Sequence, residues 1–209
     1  MITDFDRRYY LGGSDTYRLM SKEDSKTWKG LVDEKIGLAT AGIGGNIYTR
    51  AGTVFEHPLL YAVEWDMILD EQLIHDKWPI RVNYDGRKGS KLFEVKTHKI
   101  DEPFELLTDK SKGKFRRYWM QTQVEMYVYK EMSDKYFLPP FEKLYVLSYG
   151  LYPDEYYREQ DDIEIDTDRI KLWEIKYDPG WIKHEYLPRV KRLARILKKV
   201  NHGHDIAEG

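Results

Sequence analysis

Three residues near the middle of the chain have the types and spacing of a hydrolytic site. Asp85 ends one predicted strand, and Glu94 and Lys96 lie on the next one. Residues two apart on a strand point to the same side, so Glu94 and Lys96 face together, and Asp85 can converge on them across a hairpin. Two carboxylates that lie close together repel each other and lose hydration, so we expect a positive group between them.

That positive group is either Lys96 or a divalent metal ion. The sequence has no Cys, and hard oxygen ligands suit Mg²⁺ or Mn²⁺ better than zinc. The pattern indicates metal-assisted phosphodiester hydrolysis, with the metal held by Asp85, Glu94 and the carbonyl oxygen of Val95. Lys96 would orient or deprotonate the attacking water, or stabilise charge in the transition state. The motif is short, and these residues also suit a surface hairpin with a Glu–Lys cross-strand pair.

The elements around these residues predict a mixed α/β domain with a central sheet. Strands predicted over 79–84 and 92–97, joined by a glycine-containing turn at 85–91, form the hairpin. The other predicted elements are helices over 14–20, 27–36, 53–69, 119–130 and 186–200, a strand over 144–149, and a glycine-rich loop over 37–52.

Length and composition indicate one folded domain. The chain has 209 residues, of which 33% are charged and 14% aromatic, and disordered chains are poor in aromatic residues. We divide it into an N-terminal helical and loop part (1–50), a catalytic core (51–150), and a C-terminal strand and helix part with a tail (151–209). Because there is no Cys, disulfides, an iron–sulfur cluster and a thiol nucleophile are excluded.

No apolar run has the length of a membrane span, and the N-terminus has acidic residues where a signal peptide needs an apolar stretch. We therefore expect a soluble, cytoplasmic protein that does not associate with membranes.

The charged residues are unevenly distributed although the net charge is only −2. The run KSKGKFRR (110–117) contains Lys112, Lys114, Arg116 and Arg117, and a cationic loop there could bind a DNA backbone without reading its sequence. A solvated loop is the alternative. The second basic run (189–199) is expected to pack its apolar face on the core and leave its charges in water.

Four segments of the chain together resemble one nuclease family. The run YDG-(7)-EVKT resembles the PD-(D/E)xK core, with Tyr84 where that core usually has Pro. The other three segments are RRYYLGGSDTYRLM (7–20), RAGTVFEHPLL (50–60) and YWMQTQVEMYVY (118–129). They are similar to the opening segment, the Gly-x-x-x-Glu helix and the Gln-rich helix of the YqaJ-like, lambda-exonuclease-type viral recombinase nucleases. The resemblance covers the first two thirds of the chain.

The resemblance implies a restriction-endonuclease-like core, with a mixed sheet flanked by helices, and a single nuclease domain. It implies that Glu56, Asp85 and Glu94 are catalytic acids that bind the metal with the Val95 carbonyl oxygen, and that Lys96 is the catalytic lysine. Glu56 would otherwise be a favourable charge near a helix N-terminus.

The resemblance also implies DNA contacts outside this set. Arg7 or Arg8, with Ser14, would bind a terminal phosphate, and Gln121, Gln123 and Tyr127 would line the substrate side. Ser14 could instead be a helix cap, and the two arginines solvated charges near the terminus. Gln123 and Tyr127 can share one helical face, whereas all three residues cannot, so one glutamine is expected to be peripheral.

The function implied by the resemblance is that of a phage or prophage DNA exonuclease, acting at duplex ends with Mg²⁺ or Mn²⁺ in the cytoplasm of a bacterial host. Cleavage from 5′ to 3′, a single-strand annealing protein as partner and a homo-oligomeric state are further expectations. A structure-specific or restriction-like endonuclease with the same core is the alternative. A catalytically inert DNA-binding module is a second alternative.

Overall fold

The computed structural model describes residues 8–39 and 46–207, together with their side chains except at 161 and 198–207. Within these ranges, five strands form one sheet, and helices pack on both of its faces. The predicted mixed α/β fold, with a central sheet between helices, is confirmed.

The strands follow one another across the sheet in chain order. They are β1 (Ile68–Ile74), β2 (Arg81–Lys88), β3 (Lys91–Lys99), β4 (Lys143–Leu151) and β5 (Ile170–Ile175). Neighbouring strands are antiparallel except β3 and β4, which run parallel. A parallel pair needs a long crossover connection, and a helix of 20 residues supplies it here.

The described helices are α1 (Thr16–Met20), α2 (Lys26–Lys35), α3 (Ile47–Val63), α4 (Gly113–Met132) and α5 (Leu187–Ala207), with a 3₁₀ turn at Gly13–Asp15 before α1. A helical turn (Pro179–Trp181) and a π-helical stretch (Ile182–Tyr186) lead into α5. Asn46 caps α3, because its side chain accepts a hydrogen bond from the backbone N–H of Thr49 at 3.0 Å. None of the helices in the described ranges combines the length and the apolar composition of a membrane span.

The limits of α3 differ from the prediction. Residues 47–52 of the predicted loop are helical, while 40–45 lie outside the described residues. The predicted helix over 53–69 stops at Val63, and its last residues enter β1, a strand that the sequence analysis missed. Apolar residues at helical spacing continue through Met67, and neither Gly nor Pro occurs at 64–67, so the sequence contains no stop signal.

The hairpin turn is also shorter than predicted. Only Gly89 and Ser90 lie between β2 and β3, and Gly89 has a φ of 57°, which a tight hairpin turn requires and glycine adopts without strain. The prediction that Asp85 ends the first strand was wrong, because β2 continues to Lys88.

Two apolar clusters, one on each face of the sheet, form the core. The larger cluster contains Leu92 of β3 and Val124 of α4, and the smaller one contains Phe93 of β3 and Phe55 of α3. Adjacent strand residues point to opposite faces, so these contacts place α4 and α3 on opposite sides of β3. Side chains of β3 thus lie between the two helices that carry the other predicted site residues.

A glycine lets α3 pack close to β2. A Cβ built on Gly86 would lie 2.9 Å from a methyl carbon of Leu60 and 3.0 Å from the sulfur of Met67. Such distances are shorter than real Cβ contacts, so a larger residue would push the helix away from the strand. Gly86 directly follows Asp85 in β2, and this close packing holds the helix that carries Glu56 against the strand that carries Asp85.

Candidate active site

The site is built where β2 and β3 separate. The pairing of β2 with β3 ends at Gly86 opposite Phe93, and Asp85 has no partner in the register with either neighbouring strand. The Asp85 carboxylate replaces the missing strand contact by accepting a hydrogen bond from the backbone N–H of Val95 at 2.7 Å. A buried amide needs such a partner, so this bond satisfies the strand and fixes the carboxylate at the opening.

A cavity of about 490 Å³ lies at this opening. Its lining includes six of the residues singled out from the sequence: Glu56, Asp85, Glu94, Val95, Lys96 and Lys114. Tyr48, Thr97, Glu102 and Tyr118 are among the other residues that line it. The fold therefore brings together the four predicted catalytic side chains, which come from α3, β2 and β3.

Glu94 and Lys96 form the most buried polar pair at the cavity. The Lys96 ammonium donates to Oε1 of Glu94, and the same oxygen accepts from the Gln121 amide at 2.7 Å. Lys96 also lies 5.0 Å from the ring centre of Tyr118, within the range of a cation–π contact. The second oxygen of Glu94 is buried and has no hydrogen-bond partner among the described residues.

Burial and neighbouring carboxylates raise the pKa values of Asp85 and Glu56. Burial, followed by the charges of Glu94 and Glu56, holds the pKa of Asp85 well above its usual range. Burial and the charges of Glu94 and Asp70 raise the pKa of Glu56 to about 6. This accumulation of negative charge with few balancing cations is the electrostatic condition under which proteins bind divalent metal ions.

The neighbouring carboxylates also raise the pKa of Lys96, and for a lysine a raised pKa favours the charged form. Burial alone would lower the pKa of Lys96, but the charges of Glu94 and Asp85 outweigh burial and raise it. The ammonium form is therefore favoured in this arrangement, and it provides the positive charge that the sequence predicts between the two carboxylates.

Glu125 is a buried member of the cluster that the sequence analysis missed. It lies in α4, and its Oε1 accepts from the Gln121 amide at 2.9 Å. Burial, and then the charge of Glu94, raises the pKa of Glu125 well above its usual range. The signal in the sequence was its spacing of four residues from Gln121, which places both on one helical face.

A second acidic group adjoins the cavity at Glu56. Ligand atoms of Glu56, His57 and Asp70 lie within 4.8 Å of one another, and the His57 ring is 3.0 Å from the Asp70 carboxylate. Asp70 has a φ of 53°, which is uncommon for a residue other than glycine. His57 and Asp70 were not among the residues singled out from the sequence, and β1, which contains Asp70, was not predicted.

Gln123 and Tyr127 point away from this cluster. The Gln123 amide donates to the Lys176 carbonyl oxygen at 2.9 Å and accepts from the Asp178 N–H at 2.7 Å, so it holds α4 to the segment after β5. The Tyr127 hydroxyl is buried against the His75 ring, at 3.0 Å from its Nε2. Of the two glutamines, Gln121 is the one that contacts the carboxylates near the cavity.

The N-terminal residues predicted to bind a terminal phosphate are spread over different places. Arg7 lies outside the described residues. Arg8 lines a separate cavity with Lys77 and Trp78. Ser14 is exposed in the 3₁₀ turn, whose neighbouring Gly13 packs against Gln121 and Glu125.

The basic run enters the first turns of α4. Lys114 lines the cavity and pairs with Glu102 at 2.6 Å, and Lys112 is exposed at the start of the helix. Arg116 lies 4.2 Å from the ring centre of Trp119, and Arg117 lies 4.5 Å from that of Tyr17. Among the described cations of this run, Lys114 is therefore the one that lines the cavity.

The donor types at the cavity suit a hard divalent cation. The carboxylates of Glu56, Asp85 and Glu94 border one cavity, and the buried, unpartnered oxygen of Glu94 is of the kind that a metal ion satisfies. A thiolate is excluded by the absence of Cys. Oxygen donors alone favour Mg²⁺ or Mn²⁺ over softer metal ions.

Comparison with solved structures identifies the architecture. An alkaline exonuclease (LHK-Exo) from Laribacter hongkongensis superposes with a TM-score of 0.62 at 15% identity, over 97% of this chain and 95% of that one. A phage-related exonuclease from Haemophilus somnus 129PT superposes with a TM-score of 0.56 at 15% identity, over 98% of this chain and all of that one. The chain has a lambda-exonuclease-like fold. No protein-family model and no curated protein sequence matches it.

Within the lambda-exonuclease-like fold, the similarity extends beyond the segments in which the resemblance was visible in the sequence. It spans nearly the whole chain, including β4, β5 and α5, where the sequence analysis found no motif of the family. LHK-Exo in complex with dAMP superposes equally broadly, with a TM-score of 0.60 at 15% identity over 97% of this chain and 95% of that one.

Proposed function

We propose that this chain is a single-domain, metal-dependent deoxyribonuclease that degrades one strand of double-stranded DNA from an end. The observation that carries the proposal is the convergence of Glu56, Asp85, Glu94 and Lys96 on one cavity, within a fold similar to that of two exonucleases. Hydrolysis of successive phosphodiester bonds would release nucleoside monophosphates, the class of molecule to which the dAMP bound by LHK-Exo belongs.

The residues have separable tasks in this reaction. Glu56, Asp85, Glu94 and the Val95 carbonyl oxygen would hold Mg²⁺ or Mn²⁺, which polarises the scissile phosphate and lowers the pKa of a bound water. Lys96 would orient that water and stabilise negative charge on the phosphate by donating hydrogen bonds. Its contact with Glu94 keeps the ammonium at the cavity before substrate binds.

The DNA backbone would be bound by cations at the rim. Lys114 lines the cavity, and Lys112 and Arg117 belong to the same basic run at the start of α4, whereas Arg116 packs over the Trp119 ring. Arg7, Arg8, Ser14 and Gln121 remain candidates for contacts with the DNA, as the sequence analysis proposed. Such phosphate contacts give affinity without sequence preference, which suits an enzyme that must continue along any strand.

The biological setting is part of the same proposal. A phage-type recombination system in the bacterial cytoplasm would use 5′ to 3′ resection to produce single strands for an annealing protein. Assembly of several copies of the chain into a homo-oligomer belongs to this proposal, because it would keep the enzyme on one strand.

A comparison of DNA substrates tests the reaction class. Purified protein is incubated with Mg²⁺ and either linear duplex or covalently closed circular DNA, with EDTA as the metal-free control. We expect mononucleotides from the linear duplex only, and labels at the 5′ or 3′ end report the polarity. Cleavage of the closed circle would instead indicate the endonuclease alternative.

Substitution of Lys96 tests the assigned site. We expect Lys96→Ala to lower the cleavage rate by about 10²–10⁴-fold while DNA binding persists. The matched control is Lys143→Ala, since Lys143 pairs with Glu174 on the protein surface at 2.9 Å and does not line the cavity. Wild-type cleavage by Lys96→Ala would place the active site elsewhere, and DNA binding without cleavage by the wild type would support the inert-module alternative.

A further inference from the structure

Glu125 is a buried carboxylate to which the proposed reaction gives no task. Its side chain lies in the middle of α4 and is only 1% exposed. It is absent from the cavity lining, and its Oε2 has no hydrogen-bond partner among the described residues. Burying such a group is costly unless its contacts compensate, so the contact that it makes through Oε1 must explain its presence.

That contact links Glu125 to the metal-binding side of the site. The Gln121 Nε2 donates to Oε1 of Glu94 at 2.7 Å and to Oε1 of Glu125 at 2.9 Å. An amide nitrogen has two hydrogens, so each carboxylate receives one, and both donors of the group are used. An amide oxygen in that place would face two carboxylate oxygens, so Glu125 fixes which end of the Gln121 amide is directed at Glu94.

The turn before α1 restrains the same pair of side chains. A Cβ built on Gly13 would lie 3.1 Å from Oε1 of Glu125 and 3.3 Å from Cγ of Gln121. The backbone of the turn therefore closes directly on the two side chains and leaves little room for other rotamers. Restraint from this independent element indicates that the position of the pair matters to the site.

We propose that Glu125 is a positioning residue, which acts through the Gln121 amide to hold the Glu94 carboxylate in the orientation that metal binding requires. Lys96 and Gln121 both donate to Oε1 of Glu94, which leaves Oε2 without a protein partner. Partners behind a metal ligand commonly set its orientation in this way. The inference rests on the proposed function only in taking Glu94 as a metal ligand.

The test measures Mg²⁺ and Mn²⁺ binding by calorimetry on the full chain without DNA. We expect Glu125→Ala to weaken metal binding by about 10–100-fold. Glu125→Gln retains an oxygen that can accept from Gln121, so we expect its affinity to stay within a few-fold of the wild type. The control is Thr122→Val, which removes a buried side-chain hydrogen bond to the Trp119 carbonyl oxygen in the same helix and should leave metal affinity unchanged.

Several outcomes would overturn the inference. Wild-type metal affinity in Glu125→Ala would show that Glu94 needs no support from α4. Equal loss in Glu125→Gln and Glu125→Ala would show that the charge matters rather than the link through Gln121. If Glu125→Ala does not fold, Gly13→Ala gives the same answer from the other element, because its methyl group displaces the pair and should weaken metal binding several-fold; unchanged affinity there would count against the inference.

Nuclease assays separate this inference from the proposed function. A positioning defect should be overcome at high Mg²⁺ concentration, so we expect Glu125→Ala to regain most of the wild-type rate there. If the wild type binds Mg²⁺ but cleaves no DNA, the proposed function fails, while the ranking of the variants in calorimetry still decides the role of Glu125. Absence of Mg²⁺ and Mn²⁺ binding by the wild type would overturn both.

Discussion

Two polar pairs on opposite faces of α4 have the same spacing but different contacts. On one face, Gln121 and Glu125 are four residues apart, and Gln121 links Glu125 to Glu94. On the other, Gln123 and Tyr127 have the same spacing, but they bind the segment after β5 and the His75 ring. Helical spacing therefore shows that two polar residues share a face of the helix, but it does not show what they do. Their role depends on the element against which that face packs.

Among the substitutions that test this contrast, Gln121→Ala should have the largest effect on activity. Gln121→Ala removes the only amide that joins Glu94 to Glu125 among the described residues, so we expect cleavage activity at limiting Mg²⁺ to fall by about 10–100-fold. The free energy of unfolding should also fall, by about 1–3 kcal/mol, because the buried Glu125 carboxylate loses its hydrogen-bond donor. Steady-state rates over a Mg²⁺ series, together with urea denaturation, check both parts. Unchanged activity would separate Gln121 from the site.

Gln123→Ala should lower the stability of the chain without lowering its activity. It leaves the Asp178 N–H and the Lys176 carbonyl oxygen without their partner, so we expect the free energy of unfolding to fall by about 2–3 kcal/mol. The cleavage rate per folded molecule should stay near that of the wild type, as measured well below the unfolding temperature. A specific loss of DNA binding in this variant would support the sequence-based assignment of Gln123 to the substrate side and would break the contrast between the faces.

A pH series compares Glu56, on α3 at the cavity, with Gln123 on the packing face of α4. The pKa of Glu56 is about 6 in the folded chain against 4.5 for an unperturbed glutamate, so its protonated form is favoured by folding. A raised pKa contributes stability that is complete below pH 4.5 and is lost as the pH rises through 6.

In EDTA, we therefore expect the melting temperature of the wild type to fall relative to that of Glu56→Gln as the pH rises from 4.5 to 6. Addition of Mg²⁺ at pH 7.5 should reverse the difference, because the cation replaces the proton. The melting deficit of Gln123→Ala should be similar throughout this pH range. A parallel pair of curves for wild type and Glu56→Gln would show that burial and the neighbouring carboxylates do not raise the pKa of Glu56.

The hairpin that carries Glu94 and Lys96 could be located from the sequence because its information is local. Alternation of polar and apolar residues placed Glu94 and Lys96 on one side of a strand, and the lining of the cavity contains both. What the pattern could not show is the break in strand pairing at Asp85. That break concerns the pairing of β2 with β1 and β3, which the order of polar and apolar residues within one strand does not report.

The hydrogen bond between Gln121 and Glu125 also could not be predicted from the sequence, because it depends on how α4 packs. Glu125 lies in a run with few exposed positions, and helical spacing offered two competing polar pairs on α4. Only the packing of the turn at Gly13 against one of them shows which pair faces the site. Asp70 was missed because the apolar spacing of α3 runs into β1 without a glycine or proline to mark the end of the helix.

The smallest expected effects come from substitutions in the first turns of α4. There we expect one cation to contact DNA and another to pack against the protein. Lys114 lines the cavity, whereas Arg116 lies over the Trp119 ring and donates to the Asp109 carbonyl oxygen. If Lys114 contacts one phosphate, Lys114→Ala should weaken DNA binding a few-fold and reduce the slope of log affinity against log salt by about 1.

Arg116→Ala should leave that slope unchanged and instead lower the melting temperature slightly, because a guanidinium over an indole ring contributes about 0.5–1 kcal/mol at an exposed site. Fluorescence anisotropy with a labelled duplex, at four or more salt concentrations, measures both slopes under identical conditions. Equal reductions in the two variants would mean that DNA wraps around the start of α4, and the division of the helix into a substrate face and a packing face would then begin only after Arg117.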